Sequence, residues 1–260
     1  MSIITLLSDF GTADGYAGVM HGVILSINPE AVVVDISHDI APQDIHAAAF
    51  VLSTVYPYFP ADTIHVIIVD PGVGSARRAL AVRTASGMFV APDNGVLSYV
   101  FAREKVSEVV HLTNARYWLS PLSDTFHGRD LFAPVAAHLS LGVSLNNLGS
   151  AIQDPVRFVV AEARVQNDGS IHGQVMHVDR FGNLITNIPR ELLPTGRMWR
   201  VRVGGYEVGG LVKIYALAGD GSLLALIGSS GYLEIAVRNG NAAAMLQVGR
   251  GVEVIVMPIG

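Results

Sequence analysis

The sequence predicts a two-domain protein. An α/β N-terminal domain with a mainly parallel sheet spans residues 1–155, and a smaller all-β, barrel-like domain spans 156–260. Three observations carry this. Before Pro155, short apolar runs alternate with helix-length patterns. After it the long helical patterns disappear, and short strands punctuated by glycine take over. The 260 residues are 50% hydrophobic and 15% charged, which is enough apolar material for two cores.

The first apolar run, residues 3–8, reads as a buried strand, followed by a helical pattern over 15–27. Residues 31–36 form a second strand and 45–56 a second helix. Residues 64–69, almost wholly apolar, make a third strand. The runs 80–83 and 88–91 flank Ala85-Ser86-Gly87 and predict a hairpin. A helix over 128–141 closes the domain.

In the second domain, strands over 157–166 and 171–178 are expected to join across Asn167-Asp168-Gly169. Further strands are expected at 197–203, 223–227, 233–237 and 252–257.

Composition removes several classes of function. The net charge is −5 with two lysines, Lys105 and Lys213, and singly scattered arginines, so there is no basic stripe for nucleic acid. Absence of cysteine excludes disulfides, thiolate nucleophiles and cysteine-ligated metals. No uncharged apolar run approaches the roughly 20 residues that span a bilayer. The N-terminus enters a strand at once and meets Asp9, unlike a signal peptide. The reading is a cytoplasmic protein without membrane or nucleic-acid partners. Its low surface charge also suits an oligomer.

Three predicted strands lead to an acid: Asp9, Asp35 and Asp70. In an open parallel sheet, ligands bind beyond the carboxyl ends of the strands, so these acids mark a candidate pocket rim. Aspartates there also cap helices or close turns, and that reading stands strongest for Asp35. After Asp70, Pro71 fixes φ while Gly72 and Gly74 permit positive φ and close approach of a ligand. The loop lacks the lysine of a phosphate-binding P-loop. His127 precedes the 128–141 helix within Thr125-Phe126-His127-Gly128-Arg129-Asp130, with Asp124 or Thr125 as candidate caps. It reads either as a catalyst or as part of a helix-terminal salt-bridge cluster with Arg129 and Asp130. Asp70, Arg77 and His127 together offer a carboxylate, a guanidinium and an imidazole able to hold and polarise one water. His38, Asp39, Asp44 and His46 supply a competing set of metal-type ligands, which with Asp70 and His127 describes a metal-dependent hydrolase. Asp44 and His46 begin the 45–56 helix, where an acid in the first turn is favourable for its own sake.

Six blocks, in order, resemble one family. They are Ser8-Asp9-Phe10-Gly11, Val69-Asp70-Pro71-Gly72-Val73-Gly74, Ala91-Pro92-Asp93-Asn94-Gly95, Thr125-Phe126-His127-Gly128-Arg129-Asp130, Val178-Asp179-Arg180-Phe181-Gly182-Asn183, and Gly228-Ser229-Ser230-Gly231-Tyr232-Leu233-Glu234-Ile235-Ala236. The chain is similar to the S-adenosyl-L-methionine (SAM) hydroxide adenosyltransferases, adenosine-forming SAM hydrolases related to the SAM-dependent fluorinase and chlorinase.

The resemblance implies an N-terminal α/β domain, a C-terminal β-barrel and a homotrimer. In that family the active site lies where one subunit's N-terminal domain meets a neighbour's C-terminal domain. Water or hydroxide attacks the ribose 5′ carbon of SAM, giving adenosine and methionine, with no metal or organic cofactor. The family's aspartate–arginine–histidine triad falls on Asp70, Arg77 and His127. Asp9 would bind the ribose hydroxyls and Asp179 the substrate ammonium. Ser229 and Ser230 would lie near the methionine carboxylate, and Asn183 with Arg238-Asn239 would hold the adenine. The halogenating relatives carry tyrosine in place of the triad histidine, and the fluorinating branch has serine after it. His127-Gly128 here, and no counterpart to the fluorinase's extra N-terminal loop, favour water as nucleophile. Ser230 stands where the fluorinase has arginine.

The chemistry suits this set. A sulfonium leaves as a neutral thioether, so no general acid is needed. Free hydroxide at pH 7 costs about 12 kcal/mol, whereas a general base contributes only about 10²–10⁴ in rate. Proton removal in the transition state, or hydroxide held by a local cation, is therefore expected. Arg77 supplies that cation, His127 accepts the proton, and Asp70 orients the water or the imidazole. A non-catalytic SAM or adenosine sensor would use the same pocket, although it has no need of a water-activating triad.

Overall fold

Ile3–Ser8 forms β1, the spine of the N-terminal sheet, in the computed structural model, which describes residues 2–259. There follow α1 (Tyr16–Ile27), β2 (Val32–Ser37), α2 (Ile45–Val55), β3 (Ile64–Ile68), β4 (Ala79–Arg83), β5 (Met88–Pro92), α3 (Ser98–Arg103) and β6 (Glu108–Leu112). A π-helical turn, Gly128–Phe132, runs into α4 (Ala133–Ser140), and α5 (Leu145–Leu148) and β7 (Gly149–Ala151) complete the unit. Side-chain alternation gives the sheet two apolar faces. Ile4, Leu6, Ile64, Val66 and Ile68 pack with Met20 and Ile24 of α1, Phe132 of the π turn and Val135 of α4. On the opposite face, Thr5 Oγ1 meets His65 Nδ1 at 2.8 Å, and His65 stacks on Phe89.

The sheet order is β2-β1-β3-β5-β4-β6-β7. The strands from β2 to β5 pair in parallel, but β4–β5, β4–β6 and β6–β7 are antiparallel. The sheet is therefore mixed, which corrects the expectation of a mainly parallel one. The connections are the reason. No helix lies between β3 and β4, and the short turn from β4 to β5 permits only an antiparallel pair. The expected hairpin is present, with Val82 opposite Phe89.

The chain divides into two compact units after Val160. The second holds β8 (Arg164–Val165), β9 (Ile171–Val178), β10 (Leu184–Pro189), β11 (Met198–Val203), β12 (Tyr206–Val208), β13 (Leu223–Ile227), β14 (Tyr232–Val237), α6 (Ala242–Leu246) and β15 (Glu253–Ile259). All its strand pairs are antiparallel, in the order β12-β11-β15-β9-β10-β14-β13, with β8 on β9. A bridge from Leu211 to Ala225 ties the two ends of that order together, so the sheet is nearly closed and barrel-like. β11 alternates strictly between exposed and buried residues, and its Trp199, Val201 and Val203 join Val175, Leu184, Ile235 and Val254 in the core.

The strand expected over 157–166 shrinks to Arg164–Val165. Backbone groups before it are held by side chains instead of a ladder. Val156 N–H donates to Asp93 Oδ1 at 2.7 Å and Phe158 N–H to Ser98 Oγ at 2.9 Å. Among the described residues, no helix is long and apolar enough to cross a membrane.

Candidate active site

β1 and β3 run side by side in parallel, with Ser8 opposite Ile68, so Asp9 and Asp70 leave the sheet at one edge. They line a cavity of about 290 Å³ with Phe10, Gln43, Pro71, Phe126, His127 and others. Gln43 N–H donates to Asp9 Oδ2 at 2.8 Å, with Gln43 itself at φ +66°. That is the left-handed region, uncommon for a residue with a side chain. Phe10, Tyr16 and Phe126 form a ring trio at centroid distances of 5.1–5.6 Å beside the acid.

The Asp70 loop folds back on itself, so Arg77 returns to the carboxylate that opens it. Val73 N–H donates to Asp70 O at 3.2 Å, and Ser75 Oγ to Gly72 O at 2.6 Å. Gly74 has φ +76°, and a Cβ there would lie 2.3 Å from Asp124 O, so only glycine lets this loop approach the segment carrying His127. Arg77 Nε sits 2.9 Å from Asp70 Oδ1 and 3.0 Å from Oδ2, and its Nη2 also donates to Oδ2. The same Nη2 meets His127 Nδ1 at 2.9 Å. Side chains of Asp70 and Arg77 are 5% and 10% exposed, and Phe132 lies under the guanidinium at 5.2 Å. Asn94, from the Ala91–Gly95 block, donates to Val69 O at 2.8 Å and so fixes the backbone before Asp70. Asp93 grips Arg78 at 2.7 Å.

Guanidinium can only donate, so His127 Nδ1 must accept, and the neutral ring carries its proton on Nε2. The imidazole is held below its ordinary value by burial and by the Arg77 cation, against the opposing pull of Asp70, Asp130 and Asp124. It is thus neutral at physiological pH. The salt-bridge cluster foreseen at this helix start is real but excludes His127. Arg129 and Asp130 pair with each other at 2.6 Å, and Asp130 also accepts from Ser123 N–H at 2.8 Å. Neither Asp124 nor Thr125 caps the helix, which begins as a π turn directly after His127.

Asp35 does not reach the cavity. It sits within β2, opposite Leu6, and its carboxylate meets His21 and His38. Nor do His38, Asp39, Asp44 and His46 assemble. Asp44 caps α2 through Ala47 N–H at 2.9 Å, and the His46 ring lies 4.2 Å from that of Phe158.

In the second unit, Asn183, Arg238 and Asn239 line a cavity of about 650 Å³ with Phe181, Tyr215, Ala216, Val237 and Gly240. Arg238 donates to Ala218 O at 2.6 Å and Asn239 to Asp220 at 2.6 Å. Asp179 is spent on the turn between β9 and β10, accepting from Phe181 N–H, Asn183 N–H and Asn183 Nδ2 at 2.9–3.0 Å. It does not line the cavity. Ser229 and Ser230 sit on the turn between β13 and β14, also outside the lining. Two residues of this region were not foreseen. Tyr215 donates to Glu234 Oε1 at 2.5 Å, and the Glu234 carboxyl is pushed up by burial and by nearby Asp179. An acid inside the apolar run Leu233-Glu234-Ile235 was the available signal for Glu234; Tyr215 carried none.

Comparison with known proteins places the chain in a family. The family described as SAM hydroxide adenosyltransferase matches through its N-terminal domain over residues 4–149 and its C-terminal domain over 173–255. A protein of Salinispora tropica named (R)-S-adenosyl-L-methionine hydrolase is 40% identical over 253 residues, covering 95% of each chain. A fluorinase from an Actinoplanes species is 29% identical, covering 90% of each. A conserved protein of Thermotoga maritima, known from its crystal structure, superposes with a TM-score of 0.91 at 38% identity, covering 98% of this chain and 99% of that one. On the two domain matches and this identity across nearly the whole length, the chain belongs to the SAM hydroxide adenosyltransferase family.

Proposed function

We propose that this protein hydrolyses SAM to adenosine and L-methionine, with Asp70, Arg77 and His127 positioning the attacking water. The observation that carries the assignment is the unbroken hydrogen-bonded chain Asp70–Arg77–His127, two of whose members line the same cavity as Asp9. An oxygen bonds to the 5′ carbon as the carbon–sulfur bond breaks, the electron pair leaves with sulfur, and one proton is given up. That proton becomes strongly acidic as the carbon–oxygen bond forms, so a carboxylate suffices to take it. His127 Nδ1 already accepts from Arg77. We therefore place proton acceptance on Asp70 and give His127 Nε2–H the task of holding the water oxygen in line. Arg77 fixes both partners and offsets negative charge on the nucleophile.

Asp9, held by Gln43, is the candidate for the ribose hydroxyls. Asn183, Arg238 and Asn239 are the candidates for adenine. Asp179, Ser229 and Ser230 remain candidates for the methionine end, where Glu234 and Tyr215 now join them. The reaction we propose calls for no metal or organic cofactor. We further propose a homotrimer in which a neighbouring copy completes each site, which light scattering with and without substrate tests. The (R) form of the sulfonium, for which the Salinispora hydrolase is named, is the epimer we expect this chain to prefer.

The test is to incubate protein with SAM, with and without excess chloride, and to resolve the adenosyl products by chromatography. Adenosine formed in step with methionine and unaffected by chloride supports the reading. A 5′-chlorinated adenosine, or SAM recovered intact from a complex, overturns it.

A further inference from the structure

Three potential metal ligands meet where α1, β2 and the turn after β2 come together. His21, Asp35 and His38 each offer one ligand atom within 4.8 Å of the other two, and none of the three lines the 290 Å³ cavity. Nε2 of His21 lies 2.8 Å, and Nε2 of His38 3.0 Å, from the same oxygen, Asp35 Oδ1. Around a tetrahedral ion with bonds of about 2.0–2.1 Å, ligand atoms stand roughly 3.3 Å apart. Opening the trio by a few tenths of an ångström therefore seats an ion.

A second observation is independent of that proximity. The His38 side chain is only 4% exposed. Its Nδ1 is fixed by Ser8 Oγ at 2.7 Å, yet its buried Nε2 has no hydrogen-bond partner. Close as it is to Asp35, the contact is not aligned for N–H donation. One ring nitrogen anchored by a hydrogen bond while the other faces a carboxylate and a second imidazole is how metal-ligating histidines are held.

We propose that His21, Asp35 and His38 bind one divalent ion of the Zn²⁺ or Co²⁺ class. Two imidazoles and one carboxylate suit late first-row metals rather than the all-oxygen shells of Ca²⁺ or Mg²⁺. Three protein ligands leave a fourth position for water. The ion ties α1 to β2. Through Ser8 Oγ and the Gly11 N–H bond to His38 O at 2.7 Å, it also stiffens the segment carrying Asp9. No part in the reaction is assigned to it.

The experiment strips the full-length protein with chelator, then titrates Co²⁺ while recording visible absorption, and Zn²⁺ by calorimetry. One equivalent of Co²⁺ should produce the intense visible bands of a tetrahedral site, and Zn²⁺ should displace it and raise the melting temperature. Half-exposed His21 and Asp35 can be changed without opening the core. His21→Gln and Asp35→Asn, each checked for an unchanged fold by circular dichroism, should each weaken binding at least tenfold and abolish the Zn²⁺-dependent melting shift. Absence of a stoichiometric site, or one that survives His21→Gln, overturns the proposal. Neither readout depends on SAM turnover.

Discussion

Arg77 Nη2 stands 2.9 Å from Nδ1 of His127, and this bond sets which imidazole nitrogen carries the proton. Because the same guanidinium grips Asp70, one side chain fixes both a carboxylate and a neutral ring at the cavity wall.

Replacing that fork with a point charge should be costly. Arg77→Lys keeps the positive charge but cannot reach Asp70 and His127 with the same geometry. Steady-state kinetics should show kcat reduced about 10²–10³-fold, as for loss of one preorganised donor, with little change in KM. A KM effect alone would make Arg77 a substrate ligand.

Proton acceptance by Asp70 predicts an order of severity. Asp70→Asn should lower kcat about 10³-fold, within the range for a general base, and His127→Ala by about 10–10²-fold. Both variants should still bind SAM in calorimetry. The reverse order would return proton acceptance to His127.

The acid limb of the pH–rate profile should lie below the ordinary imidazole range, because burial and Arg77 both hold His127 down. Neutral His127 is the active form, so activity is retained above its pKa and lost as pH falls through it. Removing the cation lifts that pKa, so Arg77→Met should move the limb to higher pH in whatever activity remains. A limb that stays put separates His127 from the titration.

Acid stability should depend on His65, which burial pushes down to about 4 from 6.5. It is neutral in the folded state, whereas the unfolded chain binds the proton below about pH 6.5. Stability is therefore complete above that pH and declines between about 6.5 and 4, by up to about 3 kcal/mol. Denaturant melts across this window should show a shallower decline for His65→Gln than for the parent protein. His111, His127 and His138, also held low, add to the slope.

Gly74→Ala should destabilise by about 1–3 kcal/mol and depress kcat, since a Cβ would collide with Asp124 O. Thermal melts and kinetics on one preparation check both. An unchanged melting temperature would show that the loop can move aside.

Much of this was legible in the chain. β1 and β3 are largely apolar runs, interrupted only by Thr5, Ser8 and His65, because both faces of the sheet are covered, and burial of that kind leaves a plain signature. Strand direction leaves none, because it follows from how the segments are connected, and the mixed sheet was missed for that reason. β10 was missed because Thr186, Asn187 and Pro189 mask its apolar members. Residues 157–163 look like a strand, but Phe158 N–H goes to Ser98, Ala161 O accepts from Asn187, and Val156 N–H just before them goes to Asp93. At the site, Asp70, Arg77 and His127 were marked by turn chemistry and family resemblance. The bond between Arg77 and His127 joins residues 50 apart and could not be read. Asp35, read chiefly as a turn or capping acid, lies inside β2 instead, because a strand-end acid and a mid-strand acid look alike until register is known.

Water attack on the 5′ carbon is tested most directly by turnover in ¹⁸O-enriched water, with the mass of both products measured. The account predicts one ¹⁸O in adenosine and none in methionine, at a rate set by Asp70, Arg77 and His127. Adenosine formed without the label, or label appearing in methionine, would contradict it.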